Sequence, residues 1–304
     1  MSNTFPRLLG IDFSSSPSKR KPIAVAVGQW QGLVLQVDEL WSLSTLQEFA
    51  HVLNSGEPTL STGRSADQIA QAGLPYVAAI DMPFGLPRKL VDGLKWPGAG
   101  RTDFRAWADL MQHYCAMSRE QIRATFKAWC DARPAGHKFA HRDCDGPAGS
   151  SPSMKWVNPP VAYMLHAGAP LLMQAGVHIP GMQKGDTARV ALEAYPGYLA
   201  RKILNRASYK SDDKNKDTPD RRQARTELLN AVEEGMLLGI RVQVRPYLRP
   251  KLLEDAKADH LDALLCCLLA AWASKHRHTW DDMHYGLPAR IDPVEGWIVG
   301  VPPL

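Results

Sequence analysis

Residues 7–16 read Arg-Leu-Leu-Gly-Ile-Asp-Phe-Ser-Ser-Ser, and the reading of the whole chain starts here. The run from Arg7 to Phe13 is short and apolar and carries an aspartate at its end, which predicts a buried strand with Asp12 at its carboxyl edge. The same pattern recurs twice. Tyr76 to Ile80 is apolar, runs into Asp81 and is closed by Met82-Pro83-Phe84-Gly85, while Val190 to Ala194 contains Glu193 and is closed by Tyr195-Pro196-Gly197. In an open α/β sheet, ligands bind at the carboxyl ends of strands, so Asp12, Asp81 and Glu193 are expected to converge at one edge.

Around these strands, Ile23 to Val27 and Leu33 to Val37 are β-branched runs on either side of Gly28–Gly32 and predict a hairpin. Thr45 to Leu53 has helical spacing, with Leu46, Phe49, Ala50 and Leu53 on one face. Strand, hairpin, helix and strand, then a later strand and helix, imply a mixed β-sheet flanked by helices in an α/β fold. Pro219 to Leu237 reads as a helix rich in Arg and Glu, and a last major helix follows Pro250 and ends near His276. In the tail, Glu295-Gly296-Trp297-Ile298-Val299 reads as a short closing strand or a lid.

With 304 residues, 45% hydrophobic and 22% charged, the chain is long enough for one elaborated globular domain. A single domain over 1–304 is expected, with an insertion or lid at about residues 88–185. The first ten residues lack the pattern of a secretory signal. The longest apolar run, Ala263 to Ala273, is too short to cross a bilayer, so a cytoplasmic protein with no membrane partner is expected. Five cysteines, two of them the adjacent Cys266 and Cys267, do not form a disulfide framework.

The net charge of +5 is concentrated. Between Leu86 and Pro160 there are 12 Lys and Arg against 7 Asp and Glu, which leaves 24 against 24 elsewhere. Such a segment suits a surface facing phosphates, or a solvated face. Within it, Ser118 and Gln121 have capping-box spacing for a helix to Asp131, on which Arg119, Arg123 and Lys127 form one basic stripe. Asp131 to Pro160 reads as irregular loop. Trp96, Trp107, Trp129 and Trp156 either stack bases or form the insertion's own core, with the core reading favoured. Cys130, His137, His141 and Cys144 could bind zinc, but their spacing is not that of a common finger. In a second basic run, Lys210, Lys216, Arg221 and Arg222 are candidate phosphate contacts, or parts of a solvated loop.

Asp259 and Asp262 stand three apart at the start of the last helix and share a face. Together with Asp12, Asp81 and Glu193 they make an oxygen-only donor set, which selects Mg²⁺ or Mn²⁺. Two such ions about 4 Å apart can activate water and stabilise the leaving oxygen of a phosphodiester. Each acid also has a structural reading: Asp12 and Asp81 as turn residues, Asp259 and Asp262 as helix N-cap and N3.

The motifs GIDFSSS (10–16), AIDMPFGLP (79–87), LEAYPG (192–197), DHLDALLCCLLAA (259–271) and EGWI (295–298) together resemble a family. It is that of the predicted RNase H-like nucleases catalogued as domain of unknown function 429. The helix motif is also similar to the terminal helix of RuvC-type resolvases. The resemblance implies an RNase H-like core and a metal-dependent nuclease or phosphodiesterase acting on DNA or RNA. Carried over by position, Asp12 would bridge both metals, Asp81 or Glu193 would be the second ligand, and Asp262 with Asp259 beside it would complete the site. Two other classes compete. One is a non-catalytic nucleic-acid- or partner-binding protein. The other is an actin-like or sugar-kinase phosphotransferase, disfavoured because the chain has no Gly-Gly pair for a second phosphate turn.

Overall fold

The computed structural model describes residues 6–58, 73–211, 213–277 and 284–303. Strands β1 (Arg7–Asp12), β2 (Ile23–Gln31) and β3 (Val34–Leu43) form an antiparallel meander. With β4 (Tyr76–Asp81), β5 (Val177–His178), β6 (Asp186–Glu193) and β7 (Val242–Val244) they build a seven-stranded sheet in the order β5-β6-β4-β1-β2-β3-β7. All pairings outside the meander are parallel. The hairpin is tighter than the sequence suggests. Its strands run on until only Gly32 and Leu33 are left as the turn, with Gly32 at φ 60°.

The helices are α1 (Leu46–Ser55), α2 (Arg88–Leu94), α3 (Ala106–Ala116), α4 (Arg119–Asp131), the single turn α5 (Asp145–Ala148) and α6 (Val161–Ala175). They are followed by α7 (Pro196–Leu204), α8 (Pro219–Glu233), α9 (Arg249–Glu254) and α10 (Asp259–Lys275). The expected helix from Pro219 stops at Glu233, where Gly235 turns left-handed at φ 79°. The helical stretch after Pro250 is divided in two by Asp255–Ala258. The tail contributes a single parallel bridge, Ile298 to Glu193.

Alternation along the strands sends side chains into two cores. Leu9, Ile11, Val25, Ala78 and Ile80 join Phe49, Leu90, Trp107, Phe126 and Leu165 on the side of α1, α2, α3, α4 and α6. Leu8, Ala24, Ala26, Val77, Ala79 and Leu192 join Leu199, Leu228, Leu252 and Leu264 on the side of α7–α10. The result is a sheet between two helical layers. The helices of residues 88–185 therefore share a core with the strands. Trp107 is fully buried there and donates its indole N–H to the Phe84 carbonyl at 2.6 Å. Trp96, Trp129 and Trp156 pack in the same core, so the four tryptophans serve packing.

The run Ala263 to Ala273 lies at the centre of α10 and is buried on almost every side, as expected of a helix without a polar face. Among the described residues no helix is long and apolar enough to cross a membrane. α10 lies directly on β1. A methyl group at Gly10 would come within 2.0 Å of the Ala263 carbonyl oxygen and the Cys267 nitrogen, so only glycine permits this approach. That contact fixes where the amino end of α10 sits over the sheet.

Candidate active site

Asp12 and Asp81 are the last residues of adjacent parallel strands and lie opposite each other in register. Glu193 ends the next strand, one position short of this pair and opposite Ile80. α10, pressed onto β1, brings Asp259 and Asp262 to the same edge. All five carboxylates line one cavity of about 450 Å³, which Arg142, Ser150, Ser151 and Pro159 also help to wall from the 88–185 segment.

The capping roles open to Asp259 and Asp262 are not the ones they fill. α10 begins after Ala258, which has φ 60°, and the Asp259 amide is taken by the Asp255 carboxylate at 3.2 Å. Asp262 instead accepts the Tyr209 hydroxyl on Oδ1 and the Lys210 ammonium on Oδ2, both at 2.5 Å.

Burial, followed by the charges of Asp262 and Asp81, raises the Asp12 carboxyl well above the usual range. Burial likewise pushes Asp81 up to about 7, against the opposing pull of Lys210 and of a hydrogen bond with Asp12. Asp259 is pushed up to about 6 by burial and by Asp255 and Asp262. Burial and mutual repulsion thus disfavour the charged forms of Asp12 and Asp81 together. The Lys210 pKa is raised as well, which for an ammonium favours the charged form. Burial alone would lower its pKa, but Asp262, Tyr209 and Asp12 outweigh that and hold it charged.

Glu193 has a different partner. Arg142, buried with it, donates Nη2 to Oε1 at 2.6 Å and Nη1 to Oε2 at 2.7 Å, and Oε2 also accepts the Phe84 amide at 2.9 Å. Arg142 pairs with buried Asp145 at 2.9 Å and donates to the Glu295 carbonyl at 3.0 Å. The Glu295 carboxylate accepts the amides of Arg88 at 2.5 Å and Asp143 at 3.0 Å. The EGWI tail is thus a strap over this side of the cavity, tied to the sheet through Arg142. Glu193 lines the cavity with both oxygens bonded to Arg142, and both oxygens of Asp262 are bonded too, to Tyr209 and the half-exposed Lys210, so what sets Glu193 apart is its fully buried arginine partner.

Arg142, Tyr209 and the buried Arg225 are the residues that sequence reading missed, whereas Glu295 was singled out only as part of the tail motif. Arg225 donates to the Tyr209 carbonyl at 2.9 Å and pairs with Asp217 at 2.9 Å, anchoring the segment that presents Lys210. A basic residue repeated on a charged helix gave no sign of this burial.

Of the basic candidates, Lys210 lines the cavity, as do Lys21 and Lys257. Exposed Arg119 reaches its rim, donating to the Ser15 carbonyl at 3.3 Å and lying over the Tyr163 ring. Arg123 and Lys127 are exposed further along α4, where Lys127 pairs with Asp131 at 2.5 Å. Lys216, Arg221 and Arg222 do not line the cavity; Arg221 donates to the Lys216 carbonyl. Among the described residues, no three His, Cys, Asp or Glu side chains form a ready-made metal cage, whether at Cys130, His137, His141 and Cys144 or at the five acids. No family model, curated protein or solved structure matches this chain.

Proposed function

We propose that this protein is a divalent-metal-dependent nuclease or phosphodiesterase with an RNase H-like core. One observation carries the reading: acids from the ends of three adjacent strands and from α10 line one cavity, where burial and mutual repulsion disfavour the charges of Asp12 and Asp81. Buried carboxylates crowded in this way are suited to a cation. The mixed sheet flanked by helices supports the RNase H-like reading.

The donor set fits Mg²⁺ or Mn²⁺, being oxygen only and acidic. Asp12, Asp81 and Asp262 would hold the ion, with Asp259 at the margin. A bound ion of this kind supplies an activated water and charge for the leaving oxygen. The chain's own part is to position and neutralise. Lys210, Lys21 and Lys257 face the cavity and would draw in a phosphodiester, while Arg119 continues the positive path outside. Arg142 keeps Glu193 and the tail in place so that the wall does not open to water.

Thermal melts and oligonucleotide cleavage test this together. Asp12→Asn removes a charge that burial and the neighbouring acids disfavour, so in chelator it should be at least as stable as the parent. Millimolar Mn²⁺ should stabilise the parent by about 2–3 kcal/mol, if that exceeds the Kd about a hundredfold, and should leave the variant unmoved. Metal-dependent cleavage of DNA or RNA should be lost with it. A parent that Mn²⁺ neither stabilises nor activates would point instead to a non-catalytic binding protein.

A further inference from the structure

We infer that Lys210 is the second cation of this site, so that Asp12, Asp81 and Asp262 take one divalent ion rather than two. The inference rests on the metal reading above and alters its stoichiometry. The Lys210 ammonium lies 2.5 Å from Asp262 Oδ2, and its charge also bears on Asp12 and Asp81. Its side chain is 49% exposed, so the stem enters from solvent and only the tip stands among the acids.

The lysine is held from behind. Neighbouring Tyr209 is buried and bonds the other Asp262 oxygen at 2.5 Å. The Tyr209 carbonyl is gripped by Arg225, which is fully buried, paired to both Asp217 oxygens at 2.9 and 3.0 Å, and bonded to the Leu253 carbonyl at 2.8 Å. Lys210 is therefore placed by a buried network, unlike a lysine on a solvated loop.

Charge balance gives the stoichiometry. Glu193 is taken by Arg142 through both oxygens. Asp259 stands at the margin of the cavity, which Lys257 and Lys21 line with it, their charges offsetting in part the stronger effects of burial, Asp255 and Asp262. Asp12, Asp81 and Asp262 are left with Lys210, a formal charge of −2, which one divalent ion neutralises. A second would put five positive charges against three negative ones in a partly desolvated cavity, where like charges repel strongly. The ammonium has three N–H donors, and a single bond to Asp262 leaves others for a phosphate oxygen.

Counting bound Mn²⁺ by the loss of its free-ion paramagnetic resonance signal tests this in the full chain, with folding followed by circular dichroism. The parent and Lys210→Arg should bind one Mn²⁺ per chain, and Lys210→Met and Lys210→Gln should bind two. Two ions on the parent would overturn the inference and leave the metal reading standing. One ion on Lys210→Met and Lys210→Gln would remove Lys210 from the count and overturn it too. No Mn²⁺ on the parent would overturn both readings. If neither neutral variant folds, the charge is structural and the inference falls.

Discussion

Replacing Arg142 by alanine would strand Glu193 and Asp145 as unpaired charges in the interior, since both side chains are at most 3% exposed. Breaking such a buried pair costs about 3–5 kcal/mol, so Arg142→Ala should lose that much in urea unfolding; a loss under about 1 kcal/mol would mean water already reaches the pair. Three acids of the cavity set a pH dependence. Asp12, Asp81 and Asp259 keep protons in the folded chain at pH values where the unfolded chain has lost them. These three groups therefore favour folding in acid, and their contribution to metal-free stability should be lost as pH rises from about 4 to about 7. Asp81→Asn should flatten that slope; an equal slope in both proteins would place the titration elsewhere. The five acids were legible because each closes an apolar run or shares a helix face. Arg142 was not, because nothing in a loop of Gly, Pro, Ser and His ranks one basic residue above its neighbours, and only burial distinguishes it from Arg133 or Lys138.

Among the elements, α10 depends most on a single position. Gly10→Ala would drive a methyl into the helix backbone at Ala263 and Cys267, which cannot rotate away as a side chain can. Overpacking of this kind costs about 3 kcal/mol or more, and because α10 carries Asp262, the Mn²⁺ thermal shift should shrink with it. A fully stable Gly10→Ala protein would show that the helix can ride further from the sheet. Strands β5 and β7, of two and three residues, are too short to show a period. Strands β1–β4 and β6 and helices α1, α4 and α10 could be read from apolar period and capping spacing, down to the Ser118–Gln121 capping box, whose two reciprocal bonds form at 3.2 and 2.7 Å. The start of α10 could not. Ala258 adopts a left-handed conformation that its residue type does not announce, and the capping acid is Asp255, upstream of the motif.

For the molecule as a whole, the sequence conveyed a mixed sheet with helices but not its partition into layers. Alternating apolar strands show that both faces are buried, yet not which helix covers which face, so Trp107 and Phe126 could not be assigned to the same core as Ile11. The basic stripe is a whole-surface matter as well. Arg119, Arg123 and Lys127 are exposed on α4, with Arg119 at the cavity rim. Changing all three to Glu should cost little stability, under about 1 kcal/mol. It should weaken binding of a single-stranded oligonucleotide roughly tenfold at low salt, with the loss shrinking at high salt as counterion release loses its weight. Unchanged low-salt affinity would make the stripe a solvated face.

The seat of α10 on β1 also sets a clock. Cys267 bonds the Leu8 carbonyl across 259 positions of chain, so the inner face of the first strand made is covered by nearly the last helix made. At ~5–20 residues per second of synthesis, Leu8 and Gly10 wait on the order of 10–50 s for their partner. Throughout that interval the β1–β3 meander has one apolar face without its cover, an exposure that ends only when α10 is made.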